Sequence, residues 1–361
     1  MHAALLANTA WLDDELTTFQ QLSVGLVDEQ VRLTRVVPQG AGGAGLGGAS
    51  LLGQKRTWPE SRLAVLNHRR LVRLVGAFDA SRVDLIHALH RDLWQPAAVI
   101  GDHLDLPVVF QAGAVEDAAA AARLSGQLNP TRCVFAATTE PIAEEIREQT
   151  QGRVRVETVW PGVHVGEPMA EGLERDGAVC VAVCGDGVMD ESYRRLLEGI
   201  ARVVADRPEM LFFFEGQRSD QRQIWKTAQR MGLLKYLSFV PRRLGRRELL
   251  LMADAVVHPQ ALGRSRGVTL LAMAHGVPVV SVADDALDYL RPDQTAWVVE
   301  DADGEAWAGE LERLVREREA ARALGRRARE WVRGERLASD HIERTLRLYR
   351  ELSGEPLPFP G

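Results

Sequence analysis

The sequence predicts an α/β protein built on parallel sheets, in two domains. Short runs rich in β-branched residues alternate with longer stretches of helical periodicity, the pattern of a parallel sheet covered by helices. That alternation starts at the N-terminus and starts again near Ala178. The 361 residues also exceed the roughly 250–300 at which a single hydrophobic core stops growing.

Composition narrows the class. Apolar residues make up 46% and charged residues 26%, the balance of an ordinary soluble globular protein. Disordered, collagen-like and coiled-coil architectures are excluded. The apolar run around 277–280 falls far short of the ~18–20 residues of a membrane span. Residues 1–7 carry no basic leader and their apolar run breaks at Asn8, so no signal peptide is expected and cytoplasmic residence follows by default. Three cysteines, Cys133, Cys180 and Cys184, suit a reducing compartment. A net charge of −6 gives no general pull toward nucleic acid. Of the 44 basic residues only Lys55, Lys226 and Lys235 are lysine. Genomic base composition is the plain reading of that bias; a surface suited to bidentate anion recognition is the functional one.

Taken in order, residues 3–7 read as the first strand. A helix follows over 13–26, with Leu16, Phe19, Leu22, Val24 and Leu26 at its apolar positions. A second strand over 31–37 ends at Pro38, and a glycine-dense stretch from Gly40 to Gly53 comes next. A basic helix spans 62–78, and strands are expected at 83–88, 107–110 and 133–137. The second series has strands at 179–184, 210–214, 237–240, 255–258 and 277–282. Its helices fall at 191–204, 224–231 and 269–274. From 305 to 352 the pattern is helical throughout, with Arg and Glu at paired spacings, until the prolines at 356, 358 and 360 end it. The polar segment 166–177 separates the series, giving domains 1–165 and 166–336, with 337–361 following. Two such domains imply a cleft, with ligands at the carboxyl ends of the strands.

Five segments follow one another along the chain: Asp84-Leu85-Ile86-His87-Ala88, Leu106-Pro107-Val108-Val109, Val159-Trp160-Pro161-Gly162-Val163, Ala253-Asp254-Ala255-Val256-Val257-His258-Pro259, and Ala272-Met273-Ala274-His275-Gly276-Val277-Pro278-Val279-Val280. In this order they resemble segments of the family-4 glycosyltransferases and their GT-B fold. The resemblance spans nearly the whole chain. It implies two Rossmann-like domains facing a cleft, with the last helix, within 337–361, returning to the first domain. It also implies transfer of a sugar from a nucleotide-sugar donor, with retention, to a glycan, lipid or other acceptor. No metal and no resident cofactor are implied; the nucleotide-sugar is a substrate.

The chemistry of such a transfer needs groups that neutralise a diphosphate: backbone N–H groups at a helix N-terminus, and cationic side chains. The resemblance implies an arginine and a lysine after the first strand of the second domain. Asp186 stands at the first of these positions and, to within a residue or two, Glu191 at the second. The two glutamates expected before the last of the five segments are Gly263 and Leu271, and a first-domain histidine is Gln111. The glycine-rich loop after the first strand is replaced by Trp11-Leu12-Asp13-Asp14-Glu15. At an effective dielectric of ~20, a pair of unit charges 4 Å apart is worth roughly 4 kcal/mol, so two sign reversals matter.

Compensation is available in Gly263-Arg264-Ser265-Arg266-Gly267-Val268-Thr269, where two arginines and two glycines precede a helix. The alternative there is a solvated loop. Arg264, Ser265, Arg266, Gly267, Val268 and Thr269, with Gly185 and Gly216, are therefore the donor-binding candidates. Weaker cleft candidates are His87, His90, Gln111, Arg242, Arg243 and His258. The Gly40–Gly45 run fits G-x-G-x-x-G but follows the second strand and opens no helix, so a loop is preferred. Cys180 and Cys184 share a strand face without nearby ligands, so packing is preferred to metal binding.

Three functions stand at this point. The first is a glycosyltransferase with a rebuilt donor site. The second is an inactive relative serving as a partner or scaffold in glycoconjugate or polysaccharide synthesis. The third is a module for polyanions or the inner face of a membrane, using Arg62, Arg69, Arg70 and Arg73.

Overall fold

The computed structural model describes residues 1–40, 53–61, 64–74, 78, 82–166, 177–216, 221–240, 249–250, 252–300 and 302–354. Two compact units emerge. Unit 1 comprises Met1–Gly162, Gly263–Gly267 and Ala338–Gly361; unit 2 comprises Val163–Leu262 and Val268–Leu337.

Unit 1 alternates strand and helix: β1 (His2–Leu6), α1 (Thr9–Asp28), β2 (Arg32–Pro38), β3 (Gln54–Trp58), α2 (Ala64–Val72), β4 (Leu85–Ala88), α3 (Trp94–Leu104), β5 (Val108–Ala112), α4 (Asp117–Ser125), β6 (Cys133–Ala137), α5 (Glu140–Thr150) and β7 (Arg155–Thr158). All pairings are parallel, in the order β3-β2-β1-β4-β5-β6-β7. Unit 2 repeats the plan with β8 (Val179–Val183), α6 (Glu191–Asp206), β9 (Met210–Glu215), α7 (Arg222–Arg230), β10 (Leu237–Val240), β11 (Ala255–His258), α8 (Gly267–Ala274), β12 (Val279–Val282), β13 (Trp297–Val299), α9 (Gly304–Arg316) and α10 (Arg318–Glu335). Its six parallel strands run β10-β9-β8-β11-β12-β13. Strand order reverses beside β1 in one sheet and beside β8 in the other, and such switch points open a crevice at the carboxyl ends.

One device recurs in both units. The backbone N–H of Asp84 donates to the His2 carbonyl at 2.8 Å, while its carboxylate accepts from the His2 N–H at 2.6 Å. Asp254 does the same to Cys180, at 2.7 and 2.6 Å. Each aspartate thus locks β4 or β11 onto the first strand of its sheet, which sets the register on both sides of the switch point.

Burial follows strand alternation. Val179, Val181 and Val183 pack under α6 and α9, while Ala182 and Cys184 face the cluster containing α8 and Trp331. In unit 1, Ala3, Leu5 and Ala7 meet Phe19, Leu22 and Leu26 of α1, and Leu346, Leu348 and Tyr349 of α11 (Ala338–Ser353). Each fully buried large apolar side chain of this kind contributes about 1.5–3 kcal/mol.

Several elements depart from expectation. The edge strands β3 and β7 carry Gln54-Lys55-Arg56-Thr57 and Arg155-Val156-Glu157-Thr158, with little apolar alternation to betray them. Charge on an edge strand discourages pairing with other chains. Helix α1 begins at Thr9, earlier than expected, because the Asn8 side chain caps it by accepting from the Trp11 N–H. The region 305–352 is not one continuous helix. Backbone at Glu317 and Arg336 leaves helical geometry. Arg336 is held there by two hydrogen bonds to the Asp288 carboxylate, at 3.0 and 2.9 Å, and its carbonyl accepts from Val163 N–H. The run Gly42–Gly48, most of the segment 166–177, Arg62, Arg242, Arg243 and the proline tail lie outside the described residues.

Candidate functional site

At the carboxyl end of the unit 1 sheet, the loops after β1, β4 and β5 surround a cavity of about 110 Å³. Asn8 holds His90, one of the residues that line it. Its Nδ2 donates to His90 Nδ1 at 3.0 Å, and the Asp92 N–H approaches the same nitrogen at 3.3 Å. The same ring nitrogen lies 3.3 Å from the Asp92 carboxylate, and His90 holds that carboxyl below its ordinary value by hydrogen bonding. Gln111 is the half-buried position of β5, and its carbonyl accepts from Trp94 Nε1 at 3.3 Å.

A short strand-like segment completes the wall. Arg264 bridges antiparallel to Ala114, with the Val115 N–H donating to the Gly263 carbonyl and the Ser265 N–H to the Gly113 carbonyl, both at 2.8 Å. This places Arg264 and Ser265 beside His90 and Gln111. The Arg264 guanidinium lies 3.6 Å from the Asp14 carboxylate.

The lining is acidic on balance: Asp14, Glu15, Glu116 and Asp117 against Arg91 and Arg264. Arg91 reaches Glu116 at 2.8 Å and Asp117 at 3.8 Å. Asp117 accepts from the N–H groups of Gly113 and Ala114. Burial raises its carboxyl above the ordinary carboxylate value, against those hydrogen bonds. Thr138 also lines the cavity, and its buried hydroxyl has no hydrogen-bond partner among the described residues.

The N-terminus of α8 has an internal occupant. Helix α1 kinks at Glu15, where φ is −123° and ψ 27°, and the Glu15 carboxylate accepts from the Gly267 N–H at 2.7 Å. Thr18 Oγ1 donates to the same carboxylate at 2.7 Å. A carboxylate at a helix N-terminus satisfies the dipole and a terminal N–H that an external anion would otherwise use.

In unit 2 the loop after β8 is likewise closed by its own side chains. The N–H groups of Asp186, Gly187 and Val188 donate to Gln260 Oε1, the Tyr193 hydroxyl and Asp186 Oδ1, at 3.0, 3.3 and 2.7 Å. Gln260 Nε2 in turn donates to Asp190, which caps α6. A Cβ at Gly185 would lie 2.0 Å from the Tyr193 oxygen, so glycine is required for this plug to seat. Glu191 points to the surface, where Arg194 and Arg195 hold its carboxyl down to about 2 through hydrogen bonds. Gly216 packs on Gln221, leaving 2.7 Å between a Cβ and Nε2.

Other candidates are structural in their contacts. His87 is fully buried under α11, with Nδ1 2.6 Å from the Tyr349 hydroxyl, and does not line the cavity. Burial, with His341 nearby, lowers it to about 3. His258 bridges the Cys184 carbonyl and the Thr269 hydroxyl, both at 2.8 Å. Helix α8 starts at Gly267 rather than Thr269, so Thr269 sits inside the helix facing His258. Val268 and Leu271 join the core of unit 2. The structure therefore gathers His90, Gln111, Arg264 and Ser265, and leaves His87, His258, Val268 and Thr269 apart. Asp14, Glu15, Arg91, Asp117 and Thr138 were not singled out as site residues by sequence reasoning. The signals available were their positions after β1, β4, β5 and β6 and, for Asp14 and Glu15, the replacement of a glycine-rich loop.

Comparison with known proteins agrees with this architecture. Residues 173–331 match the family described as glycosyl transferases group 1. No curated protein matches in sequence. Among solved structures, Anabaena HepE in complex with UDP and glucose superposes with a TM-score of 0.77 at 13% identity, covering 96% of this chain and 98% of its own. Sucrose-phosphate synthase from Thermosynechococcus elongatus gives 0.74 at 18% identity, over 98% and 99% of the two chains. A UDP-N-acetylglucosamine 2-epimerase assignment from Listeria monocytogenes gives 0.71 at 11% identity, over 99% and 98%. At these identities the likeness is one of fold, and that fold hosts more than one chemistry. With the family match over unit 2, it defines a glycosyltransferase-like protein of GT-B architecture, similar to family-4 glycosyltransferases.

Proposed function

We propose that the protein is a non-catalytic relative of the glycosyltransferases, acting as a saccharide-binding partner or scaffold in glycoconjugate or polysaccharide synthesis. One observation carries the reading. The backbone N–H groups of Asp186, Gly187 and Val188, where the resemblance puts a donor diphosphate, are already taken by Gln260, Tyr193 and Asp186. Of the two acidic residues that stand where bases are implied, Asp186 accepts from the Val188 N–H in this loop, and Glu191 is spent on Arg194 and Arg195 at the surface, so neither position supplies a cation.

A second reading keeps sugar transfer from a nucleotide-sugar, with retention. It is favoured by Arg264, which lines the unit 1 cavity and could be joined by Arg266 as the source of positive charge. Calorimetry with UDP-, GDP- and ADP-sugars separates the two. The non-catalytic reading expects no binding at millimolar concentration. Binding that disappears in the Arg264→Ala, Arg266→Ala double variant would establish the second reading instead.

A further inference from the structure

We propose that the outward face of helix α7, in unit 2, is a docking surface for a linear acidic polysaccharide. The proposal rests on the reading that the protein serves glycoconjugate or polysaccharide synthesis, and it names the chemistry of the glycan held.

Helical spacing decides which side chains are offered. Ile224 and Ala228 of α7 are fully buried and pack into the core of unit 2. Arg222, Trp225, Lys226, Gln229 and Arg230 recur at i, i+3, i+4, i+7 and i+8, so they share the opposite face. All five are exposed, and Trp225 keeps 42% of its surface open. By contrast Trp58, Trp94, Trp297 and Trp307 are buried.

The cations of this face are not spent on carboxylates. The sequence holds no acidic residue from Arg222 to Val240. Among the described residues no carboxylate pairs with Arg222, Lys226 or Arg230. Arg230 donates one N–H to Thr227 Oγ1, 3.1 Å away on the same helix. Arginines on α6, α9, α10 and α11 do have acidic partners: Arg194 with Glu191, Arg313 with Glu317, Arg333 with Glu330 and Arg347 with Glu343. The chain carries a net charge of −6, so this basic face runs against the general balance.

The arrangement points to one class of occupant. Successive cations stand about 6 Å apart along the axis, at ~1.5 Å per residue. Such a row suits a chain of repeated anions better than one small anion. An exposed indole offers an apolar face to the C–H side of a sugar ring. Gln229, with Gln223 beside the row, adds amides that pair with hydroxyls. A lipid surface fits less well, because an interfacial helix needs an apolar face and α7 has turned Ile224 and Ala228 inward. A nucleic-acid strand also fits less well, since its binders present successive stacking aromatics and this face has one.

The test uses the full chain and calorimetry. Polygalacturonate and heparin are the acidic probes, and methyl-esterified polygalacturonate is the uncharged match. Both acidic chains are expected to bind, and the ester to bind at least about tenfold more weakly. Affinity for the acidic chains should fall about tenfold between roughly 50 and 200 mM salt, as counterions are released. Trp225→Ala should weaken binding about 3–10-fold, and Trp225→Phe should recover most of it. The triple variant Arg222→Gln, Lys226→Gln, Arg230→Gln should abolish binding. These side chains lie outside the core, and thermal melting checks that the variants stay folded. Arg347→Gln, which removes a paired cation elsewhere, should bind as the parent does. Failure of both acidic chains to bind overturns the proposal, as does equal binding of the ester. So does unchanged affinity in Trp225→Ala or in the triple variant. Tighter binding of oligodeoxythymidylate, or of phosphatidylglycerol vesicles, than of either polysaccharide also overturns it. Nucleotide-sugar calorimetry reads the β8 loop separately, so loss of this surface and failure of the functional reading give different results.

Discussion

Gly185 has no room for a side chain. An added methyl would meet the Tyr193 oxygen at 2.0 Å and Gln260 Oε1 at 2.8 Å, and Tyr193 is fully buried. Gly185→Ala is therefore expected to cost about 1–3 kcal/mol in denaturant unfolding, as overpacked cores do. Gly113 is the matched control, since nothing lies within 4 Å of where an added methyl would stand and its φ is ordinary. Gly113→Ala should change stability by no more than about 0.5–1 kcal/mol, by restricting the unfolded chain. Equal effects at the two positions would contradict the tight closure of the β8 loop. Tyr349 gives a second residue-scale expectation. His87 Nε2 already has no partner among the described residues, so Tyr349→Phe would also take the hydroxyl away from Nδ1. A loss of about 1–3 kcal/mol is expected for the buried group left unpaired.

Helix α10 shows how an element can reverse a general rule. Glycine inside a helix usually costs about 1 kcal/mol relative to alanine. Gly325 is the exception here, because its Cβ would stand 2.0 Å from the Gly276 carbonyl oxygen. Gly276 itself needs φ +76°, the left-handed turn that ends α8 and leads into β12. Neither backbone can retreat without moving a strand, so Gly325→Ala is expected to lower stability by about 1–3 kcal/mol. A stabilised variant, measured by thermal melting, would show that α10 packs less closely than its geometry states. The same scale explains the kink in α1. The helix is capped by Asn8, bends at Glu15, and so delivers a carboxylate to Gly267 N–H.

For the whole molecule, two buried histidines set an acid limit. Burial lowers His87 to about 3, with His341 contributing, and lowers His341 to about 4. In the unfolded chain both titrate near 6.5. Between those values the unfolded state binds protons that the folded state refuses, so stability rises with pH in that window. It is complete above pH ~6.5 and declines progressively as pH falls toward 4 and then 3. The melting temperature should fall from about pH 6 downward, and His341→Asn should make the decline shallower. An identical slope in that variant would assign the acid sensitivity to other groups. Among the described residues no helix is long and apolar enough to cross a membrane.

The strand runs, the repeated series and the aspartates before β4 and β11 were readable in the sequence. Parallel strands buried on both faces must be continuous apolar runs, and runs of that kind are local. Asp186, Glu191 and Leu271 were also visible there as departures from the family pattern. The edge strands β3 and β7 were not, because their side chains are mostly polar or charged and form no apolar run. Nor was the cavity. Its groups come from Asp14, His90, Gln111, Thr138 and Arg264, which lie far apart along the chain and meet only when the sheet is wound. The capture of Gly267 by Glu15 spans 252 positions. Sequence periodicity is set by neighbours within a few residues, so it determined the fold. Charge balance at a site is set by distances of a few ångströms between remote segments, and only the tertiary structure decided that.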